Sequence, residues 1–127
     1  MENRKVVLYS RVAEENNLAL DQQMTALREY AKQNNLVVVD EICDVGSAAV
    51  LERAGMKTVL KLAKEKAFDA LLVASWDRLS RKIEETAVVF AFLDDANIDI
   101  ISVRESSQNL RSMLSMFNVT CGGWNIC

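Results

Sequence analysis

The run Asp69 to Ser75, D-A-L-L-V-A-S, constrains the fold more than any other stretch of the chain. It is almost continuously apolar and too short for a buried helix. A strand with one solvated face alternates apolar and polar residues, whereas a strand covered on both faces does not need to. The run therefore predicts a parallel strand inside a sheet with helices on both sides. The neighbouring sequence supplies those helices. Leu18 to Gln33 carries Leu20, Met24, Leu27 and Ala31 at spacings of four and three, an amphipathic helix that Asn17 or Asp21 can cap. Ala54 to Ala67 places Met56, Val59, Leu60 and Ala63 on one face, and Ile83 to Asp94 reads as a third helix. Residues 5 to 12, Leu36 to Cys43 (L-V-V-V-D-E-I-C) and Asp99 to Val103 (D-I-I-S-V) are short and β-branched, which predicts strands. Asp44 to Leu51 contains Gly46 and small residues and reads as a loop. Gln108 to Phe117 reads as helical again, and Asn118 to Cys127 has no usable periodicity.

Strands alternating with helices predict an α/β domain of three layers, with a mainly parallel sheet of about four to five strands. A length of 127 residues suits one such domain. In these folds sites form in the crevice beyond the carboxyl ends of the strands. The polar residues fall at those ends. Arg11 closes the first strand, Asp44 and Ser47 follow the second, and Asp77, Arg78 and Arg81 follow the third. Arg78 and Arg81 are three apart and share a face if their turn is helical. Arg53, opening the second helix, adds a further guanidinium. Guanidinium is planar, always charged and matched to phosphate oxygens, so such a cluster suits a phosphodiester whose nonbridging oxygens gain charge in a transition state. The competing reading is a set of solvated surface arginines beside carboxylates.

Two features of composition exclude whole mechanisms. The chain has no histidine, which removes Ser-His-Asp and Cys-His catalysis and the usual histidine-bearing metal sites. Its net charge is −3, whereas a self-sufficient DNA-binding protein usually carries a basic excess. Contact with DNA would have to rest on a local arginine cluster. Cys43, Cys121 and Cys127 are an odd set without framework spacing and read as reduced thiols. No apolar run is long enough to span a bilayer and no signal peptide is evident at Met1 to Lys5, so the expectation is a cytoplasmic protein that does not engage a membrane.

Read together, Tyr9-Ser10-Arg11-Val12, Leu20-Asp21-Gln22-Gln23, Asp44 with Ser47, Arg53-Ala54-Gly55, the strand from Asp69 through Trp76, and Asp77-Arg78-Leu79-Ser80-Arg81 resemble the catalytic domain of the serine recombinases. That family comprises resolvases, invertases and large serine integrases. The resemblance covers residues 5 to about 105 and implies a resolvase-like fold acting in DNA recombination and integration by mobile elements. It implies that a serine two residues after the first arginine attacks a DNA phosphodiester and forms a 5′-phosphoserine link. It implies that Arg11, Arg78 and Arg81 surround the scissile phosphate, that Arg53 is a further active-site arginine, and that Tyr9, Gln23, Ser47 and Asp77 belong to the same site. No metal or other cofactor is implied.

Two departures stand out. Ala13 occupies the nucleophile position, and a methyl group cannot attack phosphorus. Ser10 is no substitute, because strand alternation points it away from Arg11 while position 13 shares the arginine's face. In the family a long helix follows the fourth strand region, carries dimer contacts and leads to a DNA-binding domain. Gln108 to Phe117 matches only its start. The expected organisation is a recombinase-like catalytic domain over 1–117, cut short in that helix, an irregular tail over 118–127, and no DNA-binding domain. DNA is then the expected partner, with homo-oligomer contacts weakened. The chain reads as a recombinase domain disabled at its nucleophile. The alternative is a non-catalytic module of the same fold that pairs with an active recombinase. A receiver-like regulatory domain fits poorly, since it wants acidic residues where Arg11 stands.

Overall fold

A computed structural model describes residues 3–104, and the helix expected over 108–117, the 118–127 tail, Cys121 and Cys127 lie outside the described residues. Among the described residues, four strands and three helices alternate in the order β1 (Lys5–Val12), α1 (Asn17–Gln33), β2 (Val37–Val45), α2 (Ala54–Lys64), β3 (Ala70–Val73), α3 (Ile83–Asp95) and β4 (Asp99–Ser102). Short 3-10 turns at Val50–Glu52 and Trp76–Arg78 precede α2 and α3. The sheet order is β2-β1-β3-β4, and every pairing is parallel. Because the chain leaves β1 for β2 on one side and crosses back to β3 on the other, the strand order reverses between β1 and β3. A crevice opens there at the carboxyl ends.

The strand alternation sorts the core into two layers. Val6, Leu8, Ala70 and Leu72 meet Met24, Leu27 and Ala31 of α1 on one face. Val7, Tyr9, Leu71 and Val73 meet Met56, Val59, Ala63, Val89 and Leu93 of α2 and α3 on the other. Ser10 is fully buried on the α1 side, its hydroxyl 3.9 Å from Met24 Sδ, so it turns away from the opposite face as alternation requires. β2 forms one edge of the sheet. Its register against β1 slips between Val6 and Val7, which leaves Val39 without a partner. Such a bulge twists an edge strand away from further pairing.

Helix ends account for the boundaries that differ from expectation. The cap of α1 is Asn16, whose side chain accepts from Ala19 N at 3.0 Å; neither Asn17 nor Asp21 does this work. All three helices end in the same device, a left-handed residue closed by a hydrogen bond spanning six residues. Asn35, Lys66 and Asn97 have φ of 56°, 54° and 62°. Leu36 N, Ala67 N and Ile98 N then donate to Ala31 O, Leu62 O and Leu93 O at 2.8, 3.0 and 2.8 Å. Asparagine signals such a stop, whereas Lys66 gives no hint of it, so α2 ends at Lys64 rather than at Ala67. No helix among the described residues is long and apolar enough to cross a membrane.

The cap assignment is directly testable. Asn16→Ala should destabilise the chain by about 1 kcal/mol in urea unfolding, the usual worth of a lost N-cap. Asn17→Ala, at an exposed first-turn position, should leave the midpoint nearly unchanged.

Candidate functional site

Arg11 is buried one residue before the end of β1, and its guanidinium bridges the segments after β2 and β3. Nη1 donates to Gly46 O at 2.9 Å, Nε to Arg78 O at 3.2 Å and Nη2 to Asp77 O at 3.4 Å. Gly46, which supplies the first of these carbonyls, has φ of +121°, a conformation that L side chains rarely adopt. The main chain of Arg11 is fixed from the other side. Gln23 of α1 accepts from Arg11 N at 3.2 Å and donates to Arg11 O at 2.9 Å, pairing with the strand as another strand would. Arg78 Nη1 also reaches Arg11 O, at 3.4 Å.

Arg53 is buried at the start of α2 and is held in the same manner. Nε donates to Ala48 O at 3.1 Å, and Nη1 donates to Leu79 O at 2.5 Å and to Tyr9 Oη at 3.4 Å. Tyr9 Oη in turn donates a hydrogen bond to Asp44 Oδ2 at 2.8 Å. Burial first, and then Asp44, push the Tyr9 phenol well above its ordinary pKa, so it is a neutral donor at any physiological pH. The Asp44 carboxylate also accepts from Gly55 N at 2.7 Å and Met56 N at 3.0 Å. It therefore caps α2 from the end of β2, where the dipole favours a negative charge. Residue 55 must be glycine for this, because a Cβ there would lie 2.6 Å from Asp44 Oδ2.

These contacts leave a cavity of about 220 Å³ lined by Arg11, Ala13, Ser47, Arg53 and Arg81, with Ala48, Ala49, Ser80, Lys82 and Glu85 completing the wall. Ala13 follows the end of β1 and opens onto the same space as Arg11. Tyr9 and Gln23 are not on its lining but touch residues that are, Tyr9 through the Arg53 guanidinium and Gln23 through the Arg11 main chain. Arg78 and Asp77 are not on its lining. Arg78 and Arg81 would share a face only if their turn were helical, and it is not: the 3-10 turn ends at Arg78 and α3 begins only at Ile83. Arg78 turns to the β1 main chain while Arg81 turns to the cavity. The Asp77 side chain is engaged by the Ser75 hydroxyl. Burial works against its charge, but Ser75 and Arg78 hold its carboxyl below the usual range.

Among the described residues neither Arg11 nor Arg53 has a carboxylate partner. Their hydrogen bonds go to neutral oxygens, which orient the guanidinium without cancelling its charge. Arg4 and Arg28 differ: they pair with Asp99 at 2.6 Å and with Glu41 at 2.7 Å on the surface. Burial, and then the nearby Arg53, Arg78 and Arg81, lower the Arg11 pKa. Crowded positive charge of this kind is costly unless an anion relieves it. The arrangement is suited to a tetrahedral oxyanion.

Asp44, Gly46 and Glu85 are the members of this network with no assigned part in the sequence reading of the chemistry. Glu85, in the first turn of α3, accepts from Ser80 Oγ at 2.8 Å and from Val50 N at 3.2 Å. A capping box places its acid three residues after the hydroxyl. Here the spacing is five, and the second donor is far away in sequence, so no local pattern announces it.

Helix propensity and packing make opposite predictions at residue 55. Gly55→Ala should destabilise the chain by about 1–3 kcal/mol in urea unfolding, because it displaces a buried carboxylate from its donors. Propensity alone would have alanine stabilise it. The Ser80 bond, followed by Val50 N, Lys82 and Arg53, holds the Glu85 carboxyl below its ordinary pKa. Its contribution is complete above the unfolded carboxyl pKa of about 4.3 and is lost as pH falls through the lower folded value. Glu85→Gln should therefore remove one component of the stability lost on acidification below about pH 5, read from denaturation midpoints at a series of pH values.

The family described as Resolvase, N terminal domain, matches residues 6–120. Among solved structures, the chain is similar to the N-terminal catalytic domain of TP901-1 integrase, at 35% identity over 91% of this chain and 94% of that one, with a TM-score of 0.79. It is also similar to a serine recombinase from Sulfolobus solfataricus, at 25% identity over 91% and 83%, with a TM-score of 0.67. In fold it matches a resolvase family site-specific recombinase from Streptococcus pneumoniae, at 18% identity over 92% and 87%, with a TM-score of 0.74. No curated protein sequence matches. The cluster of arginines at converging strand ends, the all-parallel sheet and these likenesses agree: the chain belongs to the resolvase N-terminal domain family, the catalytic domain of the serine recombinases.

Proposed function

We propose that the cavity receives the scissile phosphate of a DNA strand in site-specific recombination, and that this chain holds the phosphate without cutting it. The observation that carries the reading is that Arg11, Arg53 and Arg81 line one cavity together with Ala13. In the proposed chemistry a hydroxyl at position 13 attacks phosphorus. The new bond is O–P, the bond broken is P–O3′, and the hydroxyl proton ends on the departing 3′ oxygen. The 5′-phosphoserine link conserves the energy of the phosphodiester, so the reverse step rejoins strands without a high-energy cofactor. Arg11, Arg53 and Arg81 bind the nonbridging oxygens as their charge grows. Tyr9 and Gln23 hold Arg53 and Arg11 in place, Ser47 adds a polar group to the wall, and Asp77 and Arg78 brace Arg11 from behind. The chain contains no histidine, so this assignment gives the electrostatic work to guanidinium groups.

With alanine at 13 the attacking oxygen is missing. The same observation underlies a second reading, in which the chain pairs with an active recombinase as a non-catalytic member. DNA with a nick near the crossover, which traps covalent intermediates by letting the cut strand diffuse away, separates these outcomes. The chain as it stands should form no covalent adduct. Ala13→Ser, placed in a full-length recombinase carrying this domain, should form one that survives denaturing gel electrophoresis. An adduct from the alanine chain contradicts the proposal. A serine variant that binds target DNA but never links to it means the lesion is wider than position 13.

A further inference from the structure

Glu85 and Arg53 connect the same two segments with opposite polarity. One segment, 48–50, follows β2, and the other, 79–82, lies between β3 and α3. Arg53 donates to a carbonyl on each, Ala48 O and Leu79 O. Glu85 Oε1 accepts from a donor on each, Val50 N and Ser80 Oγ. The Ser80 hydroxyl in turn accepts from Lys82 N at 3.0 Å, closing a turn whose middle residue is Arg81. Glu85, Arg53 and Arg81 all line the cavity.

A carboxylate on that wall repels the anion that the arginines attract. Its presence calls for a gain of another kind, and the clamp supplies one. We infer that Glu85 is a positioning residue: it fixes the spacing of Arg53 and Arg81 around a bound phosphate by fastening the segment after β2 to the turn that carries Arg81. The inference rests on the phosphate reading of the cavity and adds to it a residue that reading does not require. Charge and clamp predict opposite results. Glutamine keeps an acceptor oxygen and removes the charge; alanine removes both. A residue acting through charge alone gives tighter phosphate binding in either variant. A positioning residue gives binding at least as tight in Glu85→Gln and weaker in Glu85→Ala.

The test uses inorganic phosphate as the probe, titrated against the chain with ¹⁵N-labelled arginine side chains, together with amide exchange at Val50 in the absence of phosphate. Glu85→Ala should weaken phosphate binding about tenfold through lost preorganisation and should speed exchange at Val50. Glu85→Gln should bind phosphate at least as tightly as the native chain and should speed exchange at Val50 less than alanine does. Ser80→Ala removes one arm of the clamp and should weaken binding less; it carries the test if Glu85→Ala does not fold. Native-like or tighter binding in Glu85→Ala, or in Ser80→Ala where it stands in, overturns the inference and leaves the phosphate reading intact. A native chain whose Arg11, Arg53 and Arg81 signals ignore phosphate overturns both.

Discussion

Two buried guanidinium groups in this domain are held by neutral oxygens rather than by carboxylates. Arg11 is bound by the carbonyls of Gly46, Asp77 and Arg78, and Arg53 by those of Ala48 and Leu79. The rest of the site depends on this choice. A carboxylate would satisfy the hydrogen bonds and cancel the charge, as happens at Arg4 and Arg28. Carbonyls satisfy the hydrogen bonds and leave the charge for something else. Because those carbonyls belong to the segments that follow β2 and β3, the same contacts also decide where the loops lie. Building the site and closing the top of the sheet are one process.

The negative charge nearby is kept at one remove. Asp44 is spent on the amides that open α2 and on the Tyr9 hydroxyl, and Tyr9 stands between it and Arg53. A neutral phenol carries the connection, so the carboxylate orders Arg53 without pairing with it. Gly55 is the steric condition for this arrangement. Stability and chemistry therefore share residues here. Loss of Asp44 would uncap a helix and loosen an arginine at once.

Much of the fold is legible in the sequence because its signals are local. The apolar run at 69–75, the spacing of Met24, Leu27 and Ala31, and strand alternation around Ser10 each act over a few residues. The misses are also physical. Lys66 takes a left-handed conformation that its identity does not advertise, which extends the expected helix too far. Asn16 rather than Asn17 caps α1, a difference of one residue that spacing does not resolve. At the site, the arginines can be read because three strand ends must meet at one edge. That Arg81 faces the cavity while Arg78 braces β1 depends on where a 3-10 turn stops, and no periodicity records that. Glu85 is invisible for a similar reason, since its two donors are five and thirty-five residues away.

Ala13 gives the site its particular character. A cavity with oriented, uncancelled guanidinium groups is there, and Ala13, the position to which the proposed chemistry gives the attack, has no side-chain oxygen. The central claim is that this cavity binds a tetrahedral oxyanion whether or not position 13 can react. Crystals of the chain soaked in tungstate, a heavy dianion of phosphate-like shape, test that claim most directly. The account predicts an anomalous peak in the cavity within hydrogen-bonding reach of Arg11, Arg53 and Arg81. Tungstate bound at surface sites such as Arg4 or Arg28, with no peak between those three arginines, would contradict it.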